Sequence, residues 1–251
     1  MAMKDASEKA RWNHYLEYVK SQTRSLRQAS RPEIVPGPVI TVSRQAGAGA
    51  HSVADELIPR LQAKAPKGSC PWTVFDRNLV DLVLEEHQMP REMARFMPED
   101  RILEISDTLD TLFGHPTTWS LVRKTADTIL HLGQLGNVIV IGRGGNIITR
   151  KLPYAFHVRL VGSMDRRIEH VRDYRHLDSL AAVEYVRTQD VARRRYVKKY
   201  YGKNIDDPLL YHLVINTDEV SYKDAARMIE GAVYPPEESS IDIAGAARSR
   251  T

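Results

Sequence analysis

A chain of 251 residues, 42% hydrophobic and 27% charged, is long enough for one large α/β domain with appendages and has an ordinary globular composition. Its single cysteine, Cys70, excludes an internal disulfide and argues against a cysteine-based metal site. No apolar run approaches the roughly 20 residues of a membrane helix, so the expected setting is the cytoplasm with no membrane partner, and the net charge of +4 favours anionic ligands only in general terms.

From the N-terminus, residues 1–31 read as a charged amphipathic helix, with Trp12, Tyr15, Leu16, Val19 and Leu26 on one side and no apolar core of a secretion signal. This helix is a candidate association element for a homo-oligomer. Pro32, Pro36, Gly37 and Pro38 make 32–38 a linker. Val39-Ile40-Thr41-Val42 then has the β-branched, unbroken apolar character of a strand buried on both faces. A Gly/Ala loop follows, and Ser52 to Leu61 reads as a helix. Thr73-Val74-Phe75 is a second predicted strand, with a helix from Arg77 to Glu86. Helical spacing marks Pro98 to Leu112 and Thr118 to Leu132. Val138-Ile139-Val140-Ile141 is the third strand, Ala155–Val161 the fourth and Leu213-Val214-Ile215-Asn216 the fifth. Helices are expected near Asp165–Arg175, Leu180–Tyr200 and Tyr222–Ala232, and a flexible tail from Pro235. Alternation of this kind predicts a parallel sheet covered on both faces, with ligands at the carboxyl ends of its strands.

The strand-to-helix loop Ser43-Arg44-Gln45-Ala46-Gly47-Ala48-Gly49-Ala50-His51-Ser52 has the context of a phosphate cradle, in which backbone amides and a helix N-terminus face the anion. It departs from the G-x-x-x-x-G-K-[ST] pattern: Arg44 holds the first glycine position, Ala50 the lysine position, and His51 is inserted before Ser52. The lost lysine is a cation that normally reaches the β- and γ-phosphates, and Arg44 or His51 are the available substitutes. Ser52 stands where a Mg²⁺-binding hydroxyl would be. A tight turn packed through small residues is the alternative.

Gly142-Arg143-Gly144-Gly145-Asn146 directly follows the third strand, which suits an arginine forked onto a phosphate; a local ion pair is the alternative. Met164 to Lys203 carries eleven Lys/Arg against six acids. In it, Asp190, Arg193 and Tyr196 fall near one helix face, able to close over a triphosphate, while Arg194 and Arg195 point elsewhere. A solvated helix, or a nucleic-acid-binding one with interleaved tyrosines, are the other readings. Phe75-Asp76-Arg77-Asn78 either contacts a base or monophosphate or caps a helix through Asp76.

These pieces, in this order, resemble the cytidylate-kinase-like family, a branch of the nucleoside monophosphate kinases, from about Val39 to Val233. The carriers are Ile40-Thr41-Val42-Ser43-Arg44 with Gly47 and Gly49; Phe75-Asp76; Val138 to Gly144; Asp190, Arg193 and Tyr196; and Leu213 to Thr217. The resemblance implies a P-loop-type three-layer α/β/α fold with a five-stranded parallel sheet, a kinase-like domain over 39–234, a helical acceptor-binding insertion at about 98–132 and a helical lid at about 164–203. It implies ATP with Mg²⁺ and transfer to a nucleoside monophosphate, CMP or dCMP being the expected acceptor. Loss of the lysine leaves a nucleotide-binding regulatory module without turnover as the alternative, and a basic nucleic-acid-binding protein as a weaker one. By the same resemblance, Arg44, Asp190 and Arg193 are catalytic. Ser43, Gly47 to Ser52 (with Ala48, Gly49, Ala50 and His51) and Arg187 hold ATP phosphates. Asp76, Arg77, Arg143 and Asn146 hold the acceptor, and Ser52 the metal. A second lid arginine falls at Val186, beside Arg187.

Overall fold

In the computed structural model the described residues are 37–66, 69, 71–76, 78–88 and 118–235. The N-terminal helix, the linker up to residue 36, Arg77, the 98–117 part of the insertion and the tail after Pro235 lie outside them. The apolar run at Val39 forms strand β1, Val39–Arg44, in the centre of a five-stranded sheet. Beside it are β3 (Val138–Ile141) and β4 (Ala155–Val161), with β2 (Thr73–Phe75) and β5 (Leu213–Asn216) at the edges. The order is β2-β3-β1-β4-β5 and every pairing is parallel. β1 is aligned on both sides, Val42 opposite Ile141 and Val158.

Alternate side chains of β1 serve opposite faces, as the period of a strand requires. Ile40 and Val42 join Ile139, Ile141, Val158 and Leu160 under α1 (Ala50–Lys64) and α7 (Tyr222–Val233), through Val53, Leu57, Leu61 and Ile229. Val39 joins Val138, Val140 and Phe75 under α2 (Asn78–Glu86) and α3 (Thr118–Leu135), through Leu79, Val83, Leu121, Ile129 and Leu132. Three layers result, and each fully buried Leu or Ile contributes roughly 1.5–3 kcal/mol. Residues 118–132 of the expected insertion thus belong to α3, which itself covers this face of the sheet.

A short helix α4 (Gly145–Ile148) follows β3, and α5 (Met164–Arg175) and α6 (Ser179–Tyr201) form an antiparallel pair. Asp178 caps α6 by accepting from the Ala181 N–H, and Gly202 ends it with a positive φ. The pair is seated on the loop after β1 through a small apolar cluster of Ala46, Val171, Ala182 and Val186. A second cluster, Val122 with Tyr196, Val197, Tyr200 and Ile205, fixes the far end of α6 against α3. The strand order changes direction around β1, so the carboxyl end of that strand is where a ligand site is expected.

Candidate functional site

Arg44, His51, Asp76, Arg143 and Arg193 meet at the carboxyl ends of β1, β2 and β3. Asp76 follows β2; its Oδ1 is 3.7 Å from Arg44 Nη2 and its Oδ2 accepts from His51 Nε2 at 2.9 Å. Burial alone would raise the Asp76 carboxyl. The hydrogen bond from His51 and the charges of Arg44, His51 and Arg143 outweigh it and hold the group well below the usual carboxylate range. Asp76 is therefore an anion held in place by the cations around it. Arg143 is buried in the turn after β3, with φ at +54° between two positive-φ glycines, and the Tyr201 hydroxyl donates to its carbonyl at 3.3 Å. Arg193, from α6, makes a long 3.5 Å contact with the Arg44 carbonyl.

The loop itself is held from outside. Ala46 N–H donates to Asp190 Oδ1 at 2.7 Å, and the Ala46 carbonyl accepts from Arg167 Nη1 at 3.0 Å. That same Nη1 reaches Asp190 Oδ2 at 2.6 Å, with both side chains about nine-tenths buried. The Gly47 carbonyl accepts from His170 Nδ1 at 2.8 Å, which fixes the proton on that nitrogen. Gly47 and Gly49 have φ of +84° and +77°. A Cβ on Gly47 would lie 2.3 Å from the Arg167 carbonyl oxygen, and one on Gly49 2.3 Å from the Tyr222 ring. Only glycine satisfies both the backbone angle and the close approach. α1 then begins at Ala50 with no side-chain cap and no acid in its first turn, leaving its positive end unopposed.

Other expected residues are placed as follows. Ala48 and Ala50 are buried in the core beneath the loop. Ser52 is half-buried in the first turn of α1. Ser43 is buried, its hydroxyl accepting from Arg159 Nη1 at 2.9 Å and lying 3.2 Å from the Tyr211 hydroxyl, which itself donates to the Ile205 carbonyl. Asn146 donates to the Leu210 carbonyl at 3.4 Å. Asp190 is spent on Ala46 and Arg167. Val186 packs against Ala46, which turns the adjacent Arg187 to solvent. Among the described residues no group of three or more His, Cys, Asp or Glu could hold a metal ion, and no helix is long and apolar enough to cross a membrane.

Sequence reading missed Arg159, Arg167, His170, Asp206 and Tyr211. Arg159 had a signal: a charged residue in the middle of a strand covered on both faces must find a partner. It finds Ser43 and Asp206, and Asp206 also accepts from Arg194 Nε at 3.0 Å. Arg167 and His170 sit in an ordinary charged helix, and nothing local marks them.

The sequence matches the cytidylate kinase-like family over residues 39–219, well over half of the chain. The chain belongs to that family. Among solved structures, an uncharacterised protein from Eubacterium ventriosum ATCC 27560 superposes with a TM-score of 0.57 at 16% identity, over 80% of this chain and 100% of that one. Shikimate kinase from Acinetobacter baumannii, in complex with shikimate, gives 0.42 at 14% identity over 78% and 92%. Shikimate kinase from Bacteroides thetaiotaomicron gives 0.42 at 13% identity over 77% and 96%. No curated protein matches the sequence. Family and sheet order together make this cytidylate kinase-like chain a P-loop-type α/β protein, with the five parallel strands expected from its sequence.

Proposed function

We propose that this cytidylate kinase-like chain is a cytoplasmic nucleoside monophosphate kinase, moving the terminal phosphoryl group of ATP onto a phosphate oxygen of a monophosphate, CMP or dCMP first among them. The products are ADP and the nucleoside diphosphate. The observation that carries the reading is the meeting of Arg44, His51 and Arg143 around the Asp76 carboxylate, with Arg193 brought to the Arg44 carbonyl beside them. Phosphoryl transfer requires mainly positioning and charge compensation, and this cluster is built for both.

The residues fit a polyphosphate: cations converge at a strand end beside an uncapped helix N-terminus. Arg143 would hold the acceptor phosphate, with Asp76 alongside. Gly47 to Ser52 would hold the donor phosphates through their amides, and Arg44 with Arg193 would offset charge on the group in flight. The chain's own contribution to a Mg²⁺ site would be the Ser52 hydroxyl, the other ligands coming from phosphate and water. ATP with Mg²⁺, when bound, supplies the phosphoryl group and part of the charge neutralisation.

A second reading, a nucleotide-binding module without turnover, draws on one observation. Ala50, at the lysine position, is buried in the core, so no cation enters the loop from there. ATP consumption with Mg²⁺ against CMP, dCMP, UMP, AMP and GMP, with thermal stabilisation measured on the same samples, separates the two. Turnover with one monophosphate supports the kinase, stabilisation without turnover supports the module, and neither response sinks both.

A further inference from the structure

A loop that grips phosphate by its amides must turn its carbonyls the other way, because a trans peptide places N–H and C=O on opposite sides. In this chain each of two successive loop carbonyls has an assigned donor on α5. Arg167 Nη1 takes Ala46 at 3.0 Å and His170 Nδ1 takes Gly47 at 2.8 Å. Taking the Ala46 carbonyl toward Arg167 sends the Gly47 N–H away from α5. Taking the Gly47 carbonyl toward His170 fixes the next peptide as well: the Ala48 N–H donates to the Gln45 carbonyl at 3.2 Å and closes the turn, so the Gly47 N–H is the amide that the two α5 donors aim.

We propose that Arg167 and His170 are positioning residues that hold the loop in the turn that aims its Gly47 amide at the donor phosphates before any nucleotide arrives, with Asp190 as the latch that fixes Arg167. The inference rests on the kinase reading of the site. Arg167 is suited to the task because it has no freedom left: Nε donates to the Gly162 carbonyl at 3.0 Å and Nη1 to Asp190 at 2.6 Å, and its side chain is 8% exposed. Asp190 uses its other oxygen on the Ala46 N–H at 2.7 Å, so one carboxylate and one guanidinium hold both polar groups of the same loop residue. His170 in turn is braced by the Tyr222 ring, 5.5 Å between centroids, the same ring that abuts Gly49. α5, α6 and α7 therefore all bear on the outer side of the loop. A loop without the lysine that would draw phosphates in depends the more on amides already aimed.

Two variants test this. Arg167→Met with Asp190→Asn removes both buried charges together, so that neither is stranded. His170→Phe keeps the ring volume at a half-buried position and removes only the bond to Gly47. Hydrogen exchange of residues 45–49, measured with no nucleotide present, is expected to accelerate about tenfold or more in either variant, and ATP affinity by calorimetry to fall about tenfold while CMP affinity stays within twofold. Exchange that stays at the wild-type rate in a folded variant overturns the latch. Faster exchange with ATP affinity intact, or an equal loss for ATP and CMP, overturns the positioning role. If the wild-type protein binds no ATP the kinase reading fails, and the exchange measurement still decides the latch. Should the double variant not fold, His170→Phe carries the test alone.

Discussion

His51 Nε2 donates to Asp76 Oδ2 across 2.9 Å, tying the first turn of α1 to the end of β2. In the proposed reading, the bond is the point where the donor side of the site touches the acceptor side. Asp76→Asn removes a carboxylate that faces Arg44, His51 and Arg143. Stability at pH 7 should fall by about 1–3 kcal/mol, because the cations lose their common partner. Affinity for pyrophosphate should rise, since the strand ends gain a net positive charge. Urea unfolding and pyrophosphate calorimetry read the two effects, and a variant unchanged in both would remove Asp76 from the electrostatic balance of the site.

Arg143 adopts φ of +54°, a conformation that costs a non-glycine residue roughly 1–2 kcal/mol. Arg143→Gly therefore deletes the guanidinium while relieving the backbone, and is the better probe than alanine. Thermal stability should stay within about 1 kcal/mol of wild type, the relief being offset by added chain entropy. CMP affinity should fall about tenfold or more, the loss expected of a charge-assisted contact. Unchanged CMP binding in the folded variant would end the acceptor role of Arg143.

Gly49→Ala meets two obstacles at once, the positive φ and the Tyr222 ring 2.3 Å from the new methyl group. A loss of about 2–4 kcal/mol is expected, combining strain with overpacking. Adding Tyr222→Ala opens the space and leaves the angle. The double variant should recover the steric part alone, visible as a non-additive cycle in chemical denaturation. Full additivity would mean that the ring does not bear on the loop.

His157 is buried in β4, its Nδ1 2.9 Å from Thr41 Oγ1 and its ring stacked 4.8 Å from that of His212. Burial, with the nearby His212 and Arg150, pushes its pKa down to about 3. The unfolded chain takes up this proton near pH 6.5 and the folded one does not, so the group costs stability progressively as pH falls from about 6.5 toward 3. His131 acts oppositely: its hydrogen bond to Glu86 raises it against burial, and its contribution is full below pH 6.5 and lost above its folded value. Comparing wild type with His157→Gln isolates the first effect. Between pH 7 and pH 5 the wild type should lose about 2 kcal/mol more than the variant. Parallel pH profiles would show that the buried ring titrates normally.

The sheet was open to reading from sequence because its strands are short apolar runs set off by turn residues, nearly unbroken where both faces are covered: β2, β3, β4 and β5 coincide with their runs, and β1 extends its run only through Ser43 and Arg44. Those two extra residues matter, since Ser43 pairs with Arg159 under the loop and Arg44 reaches Asp76 above it. α4 went unread because Gly145 and Asn146 are poor helix formers, held in the helix by their place after β3. α1 runs three residues past Leu61 because Gln62, Ala63 and Lys64, all exposed, continue it without a buried apolar residue to mark them. For the site, local context pointed to the strand ends. What no local pattern could supply was which charge answers which. Asp190 and Ala46 are separated by 144 positions, and Arg167 comes between them on another helix.

The central place of β1 also has a consequence for how the chain is made. β1 pairs with β3 only when Val138 meets Val39, roughly 100 residues later in synthesis, and with β4 later still. At ordinary synthesis rates of about 5–20 residues per second, β1 waits some 5–20 s with both hydrogen-bonding edges open. Contacts this distant in sequence also make the search slow once the chain is complete. The nascent loop after β1 therefore has no fixed shape through most of translation, and it acquires one only after α6 has emerged and Asp190 can reach it. Nucleotide binding should accordingly be among the last properties the growing chain gains.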